Sequence, residues 1–326
     1  MPVRTRLFRP DRRPVAVEST CASWAQLSGD ADNLLGIDAE APTEGELTDI
    51  VQSFNVDSRA LETARRVSRR AAVRVYRDQY LVRVIGIDVQ EQPELPRILT
   101  VDIDTIVGHN FLISMHAQPL PFAEALKERT VTNPYLGRFD ASYLLCVLLD
   151  TLIGNYSREF DEVEDRVERL EEQFLRDPSR HGLDQATTMK RHILNLRHLI
   201  APHREVFGIL ISADVPMIHE EHDDIYFRDL LISLDSFLER LDRARDVLTG
   251  AYDLYISNIS ERTNQQLKVL TFVSSVLLPM TVITGIFGTN FNLVEYHSWQ
   301  PFYLMLAGMG LMALGMLAFF RWRDWL

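Results

Sequence analysis

The amino-acid sequence predicts an α+β cytosolic domain, followed by long coiled-coil-like helices and a C-terminal two-helix transmembrane hairpin. Three observations carry this. Segments rich in β-formers recur between residues 71 and 116, then stop. After Asp140 apolar residues return at spacings of three, four and seven, the signature of long helices with one apolar seam. Two uncharged apolar runs, Val269 to Phe287 and Pro301 to Phe320, close the chain, each about as long as a helix needs to cross a bilayer.

The first segment, residues 1–29, is Arg- and Pro-rich at its start and reads as flexible. Residues 30–135 read as an α/β cytosolic domain. Strands are expected at Ala71–Tyr76, Gln79–Asp88, Ile98–Ile106 and Asn110–His116, with Gly108-His109-Asn110 as a turn. Helices are expected from Thr43 to Phe54, opened by a Thr43-x-x-Glu46 cap, and from Phe122 to Thr130.

Residues 136–224 read as paired cytosolic helices. Leu149, Leu152, Tyr156, Val163, Val167, Leu170 and Phe174 form one seam, and the other faces are strongly acidic from Glu159 to Glu172. A break at Asp177-Pro178 leads to a basic helix from Leu183 to about Ser212, with a kink expected at Pro202. The two helices are expected to pack antiparallel with complementary charge. His219-Glu-Glu-His222-Asp-Asp224 resembles a metal cluster, but it precedes a helix, where acids favour the N-terminal dipole.

Residues 225–287 read as one stalk and pore-lining helix, its membrane part about 269–287 and its length roughly 90 Å. Leu230, Leu234, Phe237, Leu241, Leu248, Ala251 and Tyr255 continue a heptad-like seam, so a helix of this length needs neighbours and self-association is expected. Residues 288–300 form an outer loop with Gly288-Thr289-Asn290, residues 301–320 a second transmembrane helix, and residues 321–326 a basic tail. Lys268, Arg321 and Arg323 flank the apolar runs while the loop from Phe291 to Gln300 has no Lys or Arg. That asymmetry places both termini in the cytoplasm and the loop outside.

The first apolar run is more than a greasy anchor. Asn264, Leu267, Thr271, Ser274, Leu278, Thr281, Gly285 and Gly288 alternate at spacings of three and four, along one edge. Val269, Phe272, Val276, Met280, Ile283 and Phe287 occupy the opposite face, suited to lipid or a second helix. Two readings of the stripe stand. Small and hydroxyl residues let membrane helices pack closely. Alternatively, several copies around an axis turn the stripe into a lumen of hydroxyl and glycine rings interrupted by leucines, without a carboxylate. Such a lumen suits a strongly hydrated divalent ion.

The 326 residues carry a formal net charge of −12, which argues against nucleic acid as a partner. The two cysteines, Cys21 and Cys146, read as free thiols. No catalytic elbow, phosphate loop or dinucleotide fingerprint is present, so an enzyme is not expected and no cofactor is implied.

Asn264 to Thr271, Leu278-Pro279-Met280-Thr281, Thr284-Gly285-Ile286-Phe287-Gly288, Asn290-Phe291 and the tail Arg321 to Leu326 resemble the CorA family of divalent-cation channels, the two-transmembrane group with a Gly-x-Asn signature. The resemblance covers nearly the whole chain. It implies a funnel-shaped homopentamer, with five long helices lining the pore and the second membrane helices around them. It implies that Asn290 holds a hydrated ion at the outer mouth beside Thr289 and Gly288, and that Asn264, Thr271, Leu278, Thr281 and Gly285 line the pore. It also implies a regulatory role for Glu62 and Asp229, and a place in an inner or plasma membrane. Two departures stand out: Thr289 replaces the usual methionine of the signature, and Thr63 replaces an acid expected beside Glu62. Glu295 is the single acid of an outer loop that is usually acidic, and reads either as part of a loop tip or as an attractor of cations.

Three functions follow as expectations. The first is potential-driven uptake of Mg²⁺, with Co²⁺ and Ni²⁺. The second is a proton-coupled Zn²⁺ transporter of the ZntB type. The third is a membrane-anchored scaffold. Divalent ions, membrane lipid and further copies of the chain are the expected partners.

Overall fold

A computed structural model describes residues 3–10, 12–30, 32–66, 68, 70–90, 97–133, 136, 140–176, 180–212, 223–288 and 299–323. The chain forms two compact units, residues 1–251 and 252–326. In the first, β1 (Val3–Phe8), β2 (Val15–Val17), α1 (Cys21–Ser28), β3 (Leu34–Glu40), α2 (Glu44–Phe54), α3 (Ser58–Arg65), β4 (Ala72–Tyr76), β5 (Gln79–Gln90), β6 (Arg97–Val107) and β7 (Phe111–His116) precede the helices α4 (Ala123–Thr132), α5 (Ala141–Arg176), α6 (Arg180–Ile200) and α7 (His203–Ile211). A long helix, α8 (Asp223–Gly288), and α9 (Gln300–Trp322) complete the chain.

The sheet has seven strands in the order β2-β1-β3-β7-β6-β5-β4. Only β3 and β7 pair in parallel, from Leu35↔Phe111 to Glu40↔His116. The four expected strands are β4 to β7, within two residues at each end. The segment 1–29, expected to be flexible, is instead structured: β1 pairs with both β2 and β3, and α1 follows. The reason is a period of two beneath the arginines. Val3, Thr5 and Leu7 point inward and are buried, while Arg4 and Arg6 alternate with them. Trp24 of α1 is 1% exposed and donates its indole N–H to Thr5 Oγ1 at 2.9 Å, which ties α1 to β1.

One face of the sheet packs on α1, α2 and α3 around Leu35, Ile37, Ile50, Phe54, Ala60 and Ile113. The cap at Thr43 forms both of its bonds: Glu46 N–H donates to Thr43 Oγ1 at 3.3 Å, and Thr43 N–H donates to Glu46 Oε2 at 2.8 Å. Asn55, in the left-handed region at φ 48°, ends the helix.

The helices α5 and α7 solve a different problem. β4 pairs with β5 only from Gln79 to Arg83, so the edge of β5 beyond Arg83 has no strand beside it. Side chains take the strand's place. His203 Nε2 accepts from Ile85 N–H at 3.0 Å, Tyr156 Oη donates to Ile85 C=O at 2.5 Å, and Glu159 Oε2 accepts from Val89 N–H at 3.0 Å. With its amide turned so that nitrogen faces the strand, Asn155 donates to Ile87 C=O at 2.9 Å. An edge covered this way offers no template for another chain.

The expected helix from Leu183 to Ser212 is two helices. Pro202 has no N–H for the carbonyl of His198, so α6 stops at Ile200 and α7 begins at His203. The seams of α5 and α8 are buried as expected, from Leu149 to Phe174 and from Leu230 to Ala251. Ion pairs join α8 to both the acidic and the basic helices. Arg240 reaches Asp161 at 2.7 Å and Glu164 at 2.5 Å on α5, while Asp242 pairs with Arg197 and Asp235 with Arg204. Such partly exposed pairs add little stability each and mainly set register.

Candidate functional site

Two helices are long and apolar enough to cross a membrane, the C-terminal part of α8 and α9. At 1.5 Å per residue the 23 residues of α9 span about 34 Å, enough for the hydrocarbon layer. Aromatic residues mark both ends of α9. Trp299, Phe302 and Tyr303 form edge contacts at the start, and Phe319, Phe320 and Trp322 flank Arg321 at the finish. That is the distribution expected of an element seated between two interfaces.

Within the membrane part of α8 the two faces differ. Phe272, Val276, Met280, Ile283 and Phe287 are half-buried, and Phe272 meets Phe320 of α9 edge-on at 5.4 Å. Val269, placed on that face by its spacing, is 64% exposed. Among the described residues the other edge is left uncovered. Asn264, Leu267, Thr271, Ser274, Leu278, Thr281, Gly285 and Gly288 are all exposed, Leu278 by 68%. A Cβ added at Gly285 or Gly288 would meet nothing within 4 Å, so packing inside one protomer does not require either glycine.

The hydroxyls of Thr281 on this edge and of Thr284 beside it are directional. Thr281 Oγ1 donates to Leu277 C=O at 2.8 Å, and Thr284 Oγ1 donates to Met280 C=O at 2.8 Å. The proton is committed to the helix, so each oxygen presents lone pairs outward. A hydrated cation turns its water hydrogens outward and is matched by such acceptors. No Asp, Glu, Lys or Arg lies between Val269 and Gly288, so an ion there meets neutral oxygens alone.

α8 ends at Gly288. Thr289, Asn290 and Glu295 lie outside the described residues, as do His219 and His222. Glu62, on α3, is exposed. Its neighbour Thr63 is engaged locally: its hydroxyl bonds to Arg59 C=O at 2.8 Å and lies 3.0 Å from Tyr76 Oη, which holds α3 against β4. Asp229 is exposed on α8 beside a cavity of about 340 Å³ lined also by Arg129, Tyr143, Asp150 and Tyr226. No residue of α3 lines that cavity, so within one protomer Glu62 and Asp229 are not gathered around it. Asp150, which pairs with Arg129, was not singled out from the sequence. Its signal was a lone carboxylate in the apolar stretch from Leu144 to Ile153. Among the described residues no three His, Cys, Asp or Glu side chains converge as a metal-binding group.

Comparison with known proteins agrees with this arrangement. The family model described as "CorA-like Mg2+ transporter protein" matches residues 35–322. A cobalt/magnesium transport protein CorA of Thermotoga maritima is 29% identical over 285 residues, which cover 86% of this chain and 80% of that protein. A zinc transport protein ZntB of Yersinia enterocolitica is 24% identical over 188 residues, 56% of this chain and 55% of its own. Among solved structures, the complete CorA magnesium transporter from Methanocaldococcus jannaschii superposes with a TM-score of 0.79 at 20% identity, covering 100% of this chain and 99% of that one. With a family model spanning both the sheet unit and the two membrane helices, this chain belongs to the CorA-like Mg2+ transporter family.

Proposed function

We propose that the chain carries divalent cations, Mg²⁺ foremost and Co²⁺ and Ni²⁺ with it, into the cell through a pore enclosed by five copies. The family is one of metal-ion transporters and not an enzyme class. One observation carries the pore reading: among the described residues the hydroxyl-and-glycine edge of α8 is exposed, while the face toward Phe320 is half-buried. In the pentamer Asn264, Leu267, Thr271, Ser274, Leu278, Thr281 and Gly285 would line the lumen. Gly288, Thr289 and Asn290 would form the outer mouth, with Glu295 above them drawing cations in. Glu62 and Asp229 would act together across subunits in regulation. Both termini would be cytoplasmic and the α8–α9 connection external, with lipid around α9.

The driving force follows from charge. A doubly charged ion gains about 4.6 kcal/mol per 100 mV of inside-negative potential, so no pump is needed. Mg²⁺ sheds its water reluctantly, and neutral oxygens hold the water shell without trapping the ion. The leucine rings at Leu267 and Leu278 would close the lumen by dewetting.

A second reading, proton-coupled Zn²⁺ transport, is favoured by Thr289 in place of methionine and by the similarity to ZntB. Flux into vesicles containing the full chain separates the two. Under the channel reading, Mg²⁺ entry follows an imposed voltage and ignores a pH gradient. Zn²⁺ entry that follows the pH gradient and ignores voltage would overturn it.

A further inference from the structure

A cavity of about 100 Å³ lies between the sheet and α4, and no residue assigned to transport lines it. Phe8, Leu120, Leu144 and Leu148 make its apolar wall. Three cations, Arg4, Arg6 and Lys127, also line it. Two carboxylates line it as well, and both are engaged. Asp38 Oδ1 lies 3.0 Å from His116 Nε2 and accepts from Ser114 Oγ at 2.9 Å. Glu124 pairs with Lys127 at 3.2 Å.

Arg6 is left over, whereas Arg4 faces the charge of Asp38, opposite it on β3. Arg6 is half-buried and donates to Thr130 Oγ1 at 2.8 Å, a neutral acceptor. Among the described residues neither Arg4 nor Arg6 has a carboxylate within ion-pair distance, and a half-buried guanidinium beside an apolar cavity calls for an anion. Gly36 shapes the same wall. A Cβ there would come within 3.0 Å of the Phe8 ring and 3.3 Å of Leu144, so the bare backbone lets these two side chains pack on β3 as the wall.

We propose that this cavity binds a small organic carboxylate, its anion held by Arg6 and Arg4 and its short hydrocarbon tail against Phe8, Leu144 and Leu148. The small cavity restricts the ligand to a short hydrocarbon tail, for which pentanoate is the probe. A rigid alternative without a tail would leave the apolar wall uncovered, and a neutral alcohol would leave the guanidinium without its counter-charge.

Calorimetric titration of the full-length protein in detergent with sodium pentanoate tests this, with pentan-1-ol and sodium acetate as controls. Saturable pentanoate binding is expected, at least tenfold weaker in Arg6→Gln and at least tenfold weaker for both controls. Arg74→Gln, exposed on β4 and outside the cavity, controls for the loss of a positive charge and should bind pentanoate as the wild type does. A crystal soaked in 5-bromopentanoate should place the bromine beside Leu144 and Leu148. Absence of saturable heat, equal affinity in wild type and Arg6→Gln, equal binding of pentan-1-ol or acetate, or bromine elsewhere would each overturn the assignment.

Discussion

His203 ties the pH response of the sheet unit to one buried imidazole. It is 0% exposed, with Nδ1 against Ile200 C=O at 2.9 Å and Nε2 accepting from Ile85 N–H. That pattern fixes the neutral ring with its proton on Nδ1, because Nε2 is needed as an acceptor. Burial pushes its pKa down to about 4, against a weaker upward pull from the Ile200 bond. The sign follows. Above the ordinary histidine value of 6.5 both folded and unfolded chains are neutral here and nothing changes. Below 6.5 the unfolded chain takes up a proton that the folded chain refuses, so stability falls until about pH 4. At pH 4.5, two units below 6.5, the loss is about 2–3 kcal/mol, somewhat under a hundredfold in an opening equilibrium. Amide exchange of the β5 peptide containing Ile85, corrected for intrinsic rates, should lose about that much protection between pH 7.5 and 4.5. In His203→Leu this part of the decline should vanish. The same variant should be about 1–3 kcal/mol less stable at pH 7.5, because Ile85 N–H loses its acceptor. An identical pH decline in both proteins would refute the assignment.

Two further outcomes follow from the same unit. The Arg83–Asp104 pair spans β5 and β6 at 2.7 Å with both side chains under 10% exposed, and Arg83 also donates to Thr63 C=O and Ala64 C=O at the end of α3. Removing one partner leaves a buried charge, so Asp104→Asn should lower stability by about 3 kcal/mol, whereas Arg83→Met with Asp104→Leu should come closer to wild type in thermal melting. Burial lifts the Asp104 pKa to about 6 despite Arg83. Because a raised carboxylate makes the fold bind its proton first, this group alone adds stability as pH falls from about 6 towards 3.8, opposing His203. Thr43→Ala removes the hydroxyl of the α2 cap and should cost about 1 kcal/mol, read as faster exchange in the first turn of α2 alone.

Local chemistry was legible where it is self-contained. Thr43 and Glu46 meet within one turn, and the strands from Ala72 to His116 alternate clearly enough to be seen. β1 was missed because its arginines mask the inward Val3, Thr5 and Leu7, and its burial depends on β3, about 30 residues away. β3 was missed for a related reason: Gly36 and Asp38 dilute its pattern, and it is held by a parallel partner distant in sequence. Covering the β5 edge with Tyr156, Asn155, Glu159 and His203 could not be foreseen either, since nothing local shows that β4 stops short. The candidate pathway divides in the same way. The stripe on α8 is plain from spacing, and its exposure in one protomer agrees with a role between copies. The proposed joint role of Glu62 and Asp229 is not legible from one chain, since the cavity beside Asp229 has no residue of α3 in its wall.

The claim that the α8 edges enclose a conduit closed by Asn290 is tested most directly by voltage-driven Mg²⁺ entry into vesicles holding either the wild-type protein or Asn290→Ala. Entry in the wild type should rise with inside-negative potential and be lost in Asn290→Ala at equal protein incorporation. Equal voltage-driven entry through both proteins would contradict the account.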